Sequence, residues 1–443
     1  GPDAPVVSAG RTLPIGRASR AYSTGSNGFL VADPTSNRVA EVDAIGREVR
    51  TITEFLVDPT FVPQGAPDNM VRKLSQPSDV LTFTSIVPAA QNPLTNPQPN
   101  EFWIHYVIAD TGNQRVIELV DRYIFDAARG VISSVVQYVD PTSNKPGGVE
   151  RALGVLRWQV KSELTSRRYS YTSIDRAFFD DAAGPRAIYA FAFGNTQPSA
   201  RALGLDGPSV PAQPVPDNAG GAGGVVLYDP ARGAYKVIDR YNVPSVGANV
   251  FWNNATQSFN SAAIGARVNV PILGLRSATI RFVEDTSGNP ILTVMIADNT
   301  GVYELFESAP GVWTVRWWLP REAFVALRRA TFSGVPTLLT KNPADFQPTF
   351  ARRLASGEVL IVNEYVGRHR AEPWVAPAFG ISRGDAYNGE VIVLGGFFDS
   401  NPNNSGFDWN KPNLGFNNYY VNYELPPISG VRGLLAPRFA DKR

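Results

Sequence analysis

The chain has no cysteine in 443 residues and only 2 histidines. Without a thiol there is no disulfide, no thiolate zinc site, no haem attached through cysteine and no cysteine nucleophile, so stability rests on packing. A thiol-free chain of this length fits an oxidising, extracytoplasmic setting (secreted, periplasmic or cell surface), where stray cysteines mispair. The numbering opens at Gly1-Pro2 with no signal-peptide pattern, which fits either a removed leader or an opening dipeptide left over from expression. Charged residues are only 18% of the chain, and 41 Lys+Arg against 40 Asp+Glu leave a net charge of +1. No global field therefore draws in nucleic acid or an acidic membrane surface. There is no run of about 18 apolar residues, so no membrane span is expected.

What the chain has in quantity is 39 Gly, 36 Pro, 24 Phe, 16 Tyr and 8 Trp. Many turns joining short, aromatic-rich strands give that composition, and the expected class is all-β.

Two stretches repeat each other without a gap: Val31-Ala-Asp-Pro-Thr-Ser-Asn-Arg-Val-Ala-Glu-Val42 and Ile108-Ala-Asp-Thr-Gly-Asn-Gln-Arg-Val-Ile-Glu-Leu119. Each is an apolar strand ending in Asp, a polar turn, an Arg five positions after that Asp, and a second alternating strand. One β-hairpin is used twice, and a unit that cannot bury its own apolar face must stack on copies of itself. Short leading strands with period-two alternation recur at Pro77 to Phe83, Tyr171 to Phe179, Leu275 to Val283, Gln347 to Leu354 and Ile428 to Leu435. Further strands follow four of them: Ala187 to Phe193 with Gly224 to Asp229, Leu292 to Asp298 with Val302 to Phe306, and Glu358 to Asn363 with Gly389 to Leu394, besides the hairpin at Ile108. The fifth, Ile428 to Leu435, lies near the end of the chain, and its missing hairpin is the first one, at Phe29 to Val42.

Pairing that C-terminal strand with the N-terminal hairpin closes a ring and removes exposed sheet edges. The expected architecture is a single β-propeller domain over residues 1–443, five blades, with six as the runner-up if a degenerate blade lies in Val243 to Val270. The two hairpin aspartates are 77 residues apart, more than the ~40–50 residues of a minimal blade, so insertions on the faces are expected. They are placed near 197–221 and 399–427. Pro320 to Arg329 reads as a helix, and Leu153 to Leu164 as a strand rather than a helix.

The hairpin resembles the NHL repeat: Ile108, Ala109, Asp110, Thr111, Gly112 and Asn113, with Arg115 and Val116, carry its signature. The first copy keeps Ala32, Asp33 and Arg38 but has Ser36 where the family expects Asn; the copy at Ala297-Asp298 lacks the Arg; the copy at Asn363 keeps Arg368 and loses the Asp. The resemblance implies a propeller, commonly six-bladed. Some NHL-like proteins are enzymes, notably the peptide-amidating lyase with its zinc site of several histidines. His105 and His369 are too few for that site plus a base, and read as a strand residue and a loop residue. Gluconolactonase-like propellers use carboxylates and Asn around a divalent ion instead. RNA-binding members use a strongly basic face, which the scattered arginine pairs here do not form.

An Asp at a strand end accepts hydrogen bonds from its own turn, and the Arg after it can pair with it, so the repeated acids have a structural reading in every hairpin. If a metal such as calcium is held, its oxygen donors come from Asp33, Asp110, Asp298 and Glu364. No catalytic residue is marked. Asn and aromatic residues crowd the segment from Asp399 to Pro427, and Phe407, Trp409, Phe416, Tyr419 and Tyr420 are its binding candidates, rigid rings for area beside amides for hydrogen bonds. The functional expectation is a non-catalytic surface module that binds a protein or glycan, or further copies of itself. Its alternative is a metal-dependent hydrolase or lyase with carboxylates in the central channel.

Overall fold

The strand Asn100–Asp110 shows how the sequence makes its sheets. Ile104, Tyr106 and Ile108 alternate with Trp103, His105, Val107 and Ala109, so both faces carry residues that leave water, and the strand sits between layers on both sides. The computed structural model describes residues 6–8, 11–13, 20–24, 28–43, 47–58, 61, 70–139, 149–161, 170–181, 184–194, 223–246, 252–253, 258–259, 264–284, 288–298, 300–320, 348–354, 359–363, 390–395 and 420–424. These residues are built almost wholly of antiparallel strands.

Five sheets follow one another along the chain, each a meander whose four strands pair in sequence order. The first is Arg20–Ser23, Phe29–Asp33, Arg38–Val42 and Glu48–Ile52; the second is Pro77–Pro88, Asn100–Asp110, Arg115–Asp126 and Val131–Val135. Ser170–Asp181, Gly184–Gly194, Gly223–Asp229 and Ala234–Ile238 make the third, and Ser277–Glu284, Pro290–Asp298, Gly301–Ala309 and Val312–Pro320 the fourth. The fifth is Pro348–Arg353, Val359–Asn363, Glu390–Gly395 and Tyr420–Glu424. The first strand of each is called its leading strand below.

The chain falls into two compact units, one holding Pro5–Ile174 and the other Asp175–Thr196 with Pro214–Arg443. In the Pro5–Ile174 unit, Leu30, Ala32, Val39 and Ile52 of the first sheet pack against Val80, Tyr106, Ile108, Ile117 and Leu119 of the second. The opposite face of the second sheet buries Trp103 and Val120 under Val136, Tyr138 and Val155. In the other unit, Ala190, Ala192, Val225 and Leu227 share one core with Val294, Ile296, Val302 and Leu305, and with Ala351, Val359 and Ile361. Each Val, Leu or Ile so buried contributes about 1.5–3 kcal/mol, and alanines at strand centres let the layers approach.

Where the C-terminal strand is expected beside the first hairpin, the pairing differs. Arg20–Ser23 lies antiparallel to Phe29–Asp33, Ala21 opposite Val31, so the N-terminal sheet supplies its own leading strand. The expected strand at Ile428 to Leu435 lies outside the described residues. Among the described residues, the stretch considered for a sixth blade makes only a two-stranded ladder of its own, Trp252–Asn253 with Ser258–Phe259. Arg240–Val246 pairs with Ile264–Pro271 as a hairpin, and meets the outer strand of the fourth sheet in parallel at Asn242 and Thr314. That outer strand carries Trp313, Val315 and Trp317, an apolar edge that Tyr241 and Val243 cover.

Val155–Lys161 is a strand and pairs with Arg115–Asp126, as its alternation predicts. Pro320 ends a strand, and the helix expected after it lies outside the described residues. Among the described residues no helix is long and apolar enough to cross a membrane.

Candidate functional site

The two matching hairpins close with the same turn. Asn37 and Gln114, each just before the Arg, take left-handed backbone at φ 52° and 55°. The Ser36 N–H donates to Asp33 Oδ1 at 3.2 Å, and Arg38 Nε to Asp33 Oδ2 at 3.4 Å. In the second copy Asp110 Oδ2 accepts from Arg115 Nε at 2.8 Å and from Asn113 Nδ2 at 2.8 Å, and Asp110 Oδ1 accepts from the Ser75 N–H at 2.7 Å. Burial pushes the Asp110 carboxyl up, against the pull of Arg115 and these hydrogen bonds. Gly112 has a physical reason too, because a Cβ there would run into the Ser75 side chain and carbonyl. Asp298, without an Arg, accepts from the Thr300 and Gly301 N–H groups and from Tyr241 Oη, and burial raises it to about 6. Each of the three described acids is thus engaged by its own turn. Among the described residues no group of three His, Asp or Glu is arranged to hold a metal ion.

A different set of acids joins the sheets. Asp79, on the leading strand of the second sheet, accepts the Ile174 N–H at 2.6 Å. Asp175, on the leading strand of the third, accepts the Ile280 N–H at 2.8 Å and Arg352 Nη2 at 2.8 Å. Thr279 Oγ1 donates to the Ala351 carbonyl at 2.7 Å, and Arg281 Nη1 to that of Leu354 at 3.1 Å. In the Asp175-containing unit, then, the leading strands of the third, fourth and fifth sheets converge through polar contacts.

A hydrogen-bonded chain crosses the second sheet on one face. Ser85 Oγ lies 2.7 Å from His105 Nε2, and His105 Nδ1 2.6 Å from Glu118 Oε1. With Glu118 as carboxylate the Nδ1–H donates to it, which leaves Nε2 to accept from the serine hydroxyl. Phe83 stacks on the imidazole at 4.2 Å and fixes its plane. Nearby, Glu101 accepts from Arg122 Nε and Nη2, Trp103 Nε1, Asn92 Nδ2 and the Gln98 N–H, which satisfies the buried carboxylate completely.

Glu118 occupies a repeated position. Glu41, Glu118 and Glu304 lie opposite Leu30, Val107 and Met295, each three residues before the hairpin Asp. Glu41 takes a hydrogen bond from Tyr106, Glu118 holds His105, and Glu304 gathers arginines. Arg353 reaches both Glu304 oxygens, with Nε at 3.1 and 3.0 Å and Nη2 at 2.6 Å, while Arg316 Nε stands 3.7 Å away. Burial would raise this carboxyl, but Arg353, Arg316 and Arg281 overcome it and lower it to about 2.

Of the residues singled out in the sequence, Asp33, Asp110 and Asp298 sit in separate hairpins. Glu364, Phe407, Trp409, Phe416, Tyr419 and His369 lie outside the described residues; Tyr420 opens the last strand, Tyr420–Glu424. Asp79, Asp175 and the Ser85–His105–Glu118 chain were not legible as sites. The shared Asp in Pro77-Ser-Asp and Ser173-Ile-Asp is the signal that could have marked the first pair. No family model matches the chain, and no curated protein matches it. Among solved structures, a hypothetical selenium-binding protein from Sulfolobus tokodaii is similar over 83% of this chain and 71% of its own, at 8% identity and a TM-score of 0.31.

Proposed function

We propose that this chain is a non-catalytic β-propeller, similar to NHL-repeat propellers, that acts outside the cytoplasm and presents its loops to a protein or glycan partner or to further copies of itself. One observation carries the reading: five four-stranded meanders succeed one another along the chain, which is the blade pattern of such rings. It is supported by the acids, since Asp33, Asp110, Asp298, Glu101 and Glu304 are spent on internal bonds. The contact surface is sought in the Asn- and aromatic-rich segment with Phe407, Trp409, Phe416, Tyr419 and Tyr420. Class averages of single particles test the architecture, and a ring of five sheets is expected; two stacked sheets would end it. Light scattering across a concentration series tests the role. Removal of residues 403–418 should leave the far-ultraviolet spectrum unchanged and lower the associated mass, whereas an unchanged mass would refute the loop's part in assembly.

The Ser85–His105–Glu118 chain supports a second reading, acyl transfer at Ser85. Its test is a fluorophosphonate probe. Ser85 Oγ would bond to phosphorus as the P–F bond breaks, fluoride would leave, and the hydroxyl proton would pass to His105 Nε2. Labelling that Ser85→Ala abolishes is expected on this reading; a wild-type chain that stays unlabelled excludes it.

A further inference from the structure

Where Val155–Lys161 runs antiparallel to Arg115–Asp126, the register slips by one residue between Leu156, opposite Leu119, and Trp158, opposite Glu118. Arg157 is the extra residue of that β-bulge, a device by which a strand re-aims a side chain. Its guanidinium stands over the rings of Trp103 and Phe61, 4.8 and 5.1 Å from their centroids. The rings hold the cation, but its five N–H donors still need oxygen acceptors. Among the described residues Arg157 makes no hydrogen bond and no ion pair, and its Nη1 is shut off from water without a partner. Burial lowers Arg157, while Glu118 and Asp58 pull the other way through space. Both acids are engaged by other donors. Glu118 Oε1 holds His105 Nδ1 at 2.6 Å, and Asp58 accepts from the N–H groups of Phe61 and Thr95 and from the Thr95 hydroxyl.

The Ser85–His105–Glu118 chain borders the same tryptophan. Ser85 lies opposite Trp103 across the two strands, and the His105 ring tilts against that of Trp103 at 5.8 Å. Arg157 and Ser85 are only partly buried, so the place is reached from solvent. We propose that Arg157, held over Trp103 and Phe61, anchors a binding site for the carboxylate of a small organic acid, with Ser85 and His105 as its polar wall. A carboxylate offers two coplanar oxygens to the guanidinium fork. Glu118 and Asp58 already offset the cation, and they repel a dianion such as phosphate about twice as strongly as a monoanion. The site does not depend on any reaction at Ser85.

The test is thermal unfolding of the full chain at neutral pH, with sodium acetate or sodium benzoate replacing sodium chloride at constant ionic strength. A ligand that binds only the folded chain raises the midpoint and saturates, here by roughly 2–4 °C at about a hundred times its Kd. Arg157→Met removes the fork and should abolish the response. Because that variant can fail to fold, Arg157→Lys is measured beside it; it keeps the charge without the fork and should weaken the apparent affinity at least tenfold. Arg129→Gln, which removes an exposed arginine near the Asp126 turn, should respond as the wild type does. The inference is overturned if neither carboxylate saturates, if phosphate saturates at lower concentration than both, if Arg157→Lys responds as the wild type does, or if Arg129→Gln loses the response equally.

Discussion

Asp175 and Arg352, 177 residues apart in the chain, form an ion pair at 2.8 Å between the leading strands of the third and fifth sheets. The same carboxylate accepts the Ile280 N–H from the fourth, so one side chain ties three sheets together. Asp175→Asn keeps an acceptor but loses the charge on both bonds. It is expected to cost about 2 kcal/mol, as hydrogen bonds to charged groups do, and Arg352→Ala about half as much because Arg352 is partly exposed. Urea midpoints of the two variants check the order, and an equal or reversed order would deny Asp175 its central part.

Asp298 imposes a pH dependence whose sign can be worked out. Burial raises its folded value to about 6 from 3.8, so the folded state holds the proton more tightly than the unfolded chain. Its contribution is then full below about pH 4 and lost as the pH rises through about 6. Asp298→Asn mimics the protonated form, and its Oδ1 can still accept from the turn. At pH 7.5 the variant should match or exceed the wild type by about 1–3 kcal/mol, and the difference should vanish near pH 4. Denaturant titrations at both pH values measure it.

Glu304 runs the other way. Its folded value of about 2 lies below 4.5, so its stabilisation is present above about pH 4.5 and lost as the pH falls towards 2. Glu304→Gln leaves buried guanidinium groups without their carboxylate and should cost about 3–5 kcal/mol at neutral pH. A calorimetric midpoint within a degree of the wild type would contradict this.

Gln114 sits at φ 55°, a conformation that costs an L-residue with a Cβ about 1–2 kcal/mol and glycine almost nothing. Gln114→Gly is expected to be neutral or to stabilise by up to about 1 kcal/mol, because the backbone strain it relieves exceeds the entropy it adds. Gly112→Ala, two residues away, should destabilise, since its Cβ meets the Ser75 backbone. Chemical denaturation of the two single variants gives opposite signs on this account.

The all-β class and the hairpins were legible in the sequence because period-two alternation and the Asp-to-Arg spacing are local. The strands expected from Tyr171, Leu275 and Gln347 begin within two residues of where they form. Closure of the first sheet was misjudged, because Arg20–Ser23 is a four-residue strand among Ala and Ser with little alternation to announce it. The hairpin at Arg240–Val246 looked like a blade because its own pattern is strand-like; that it serves another sheet's apolar edge is a tertiary fact. Ser85, His105 and Glu118 stand on three strands, and only the pairing register brings them to one face.

The bonds from Asp79 and Asp175 end on main-chain N–H groups, those of Ile174 and Ile280. Every residue except proline offers that group, so the receiving strand is free to change its side chains without losing the fastening. Selection then acts on the accepting aspartate, and neighbouring repeats can drift apart in spelling while the joints between them persist.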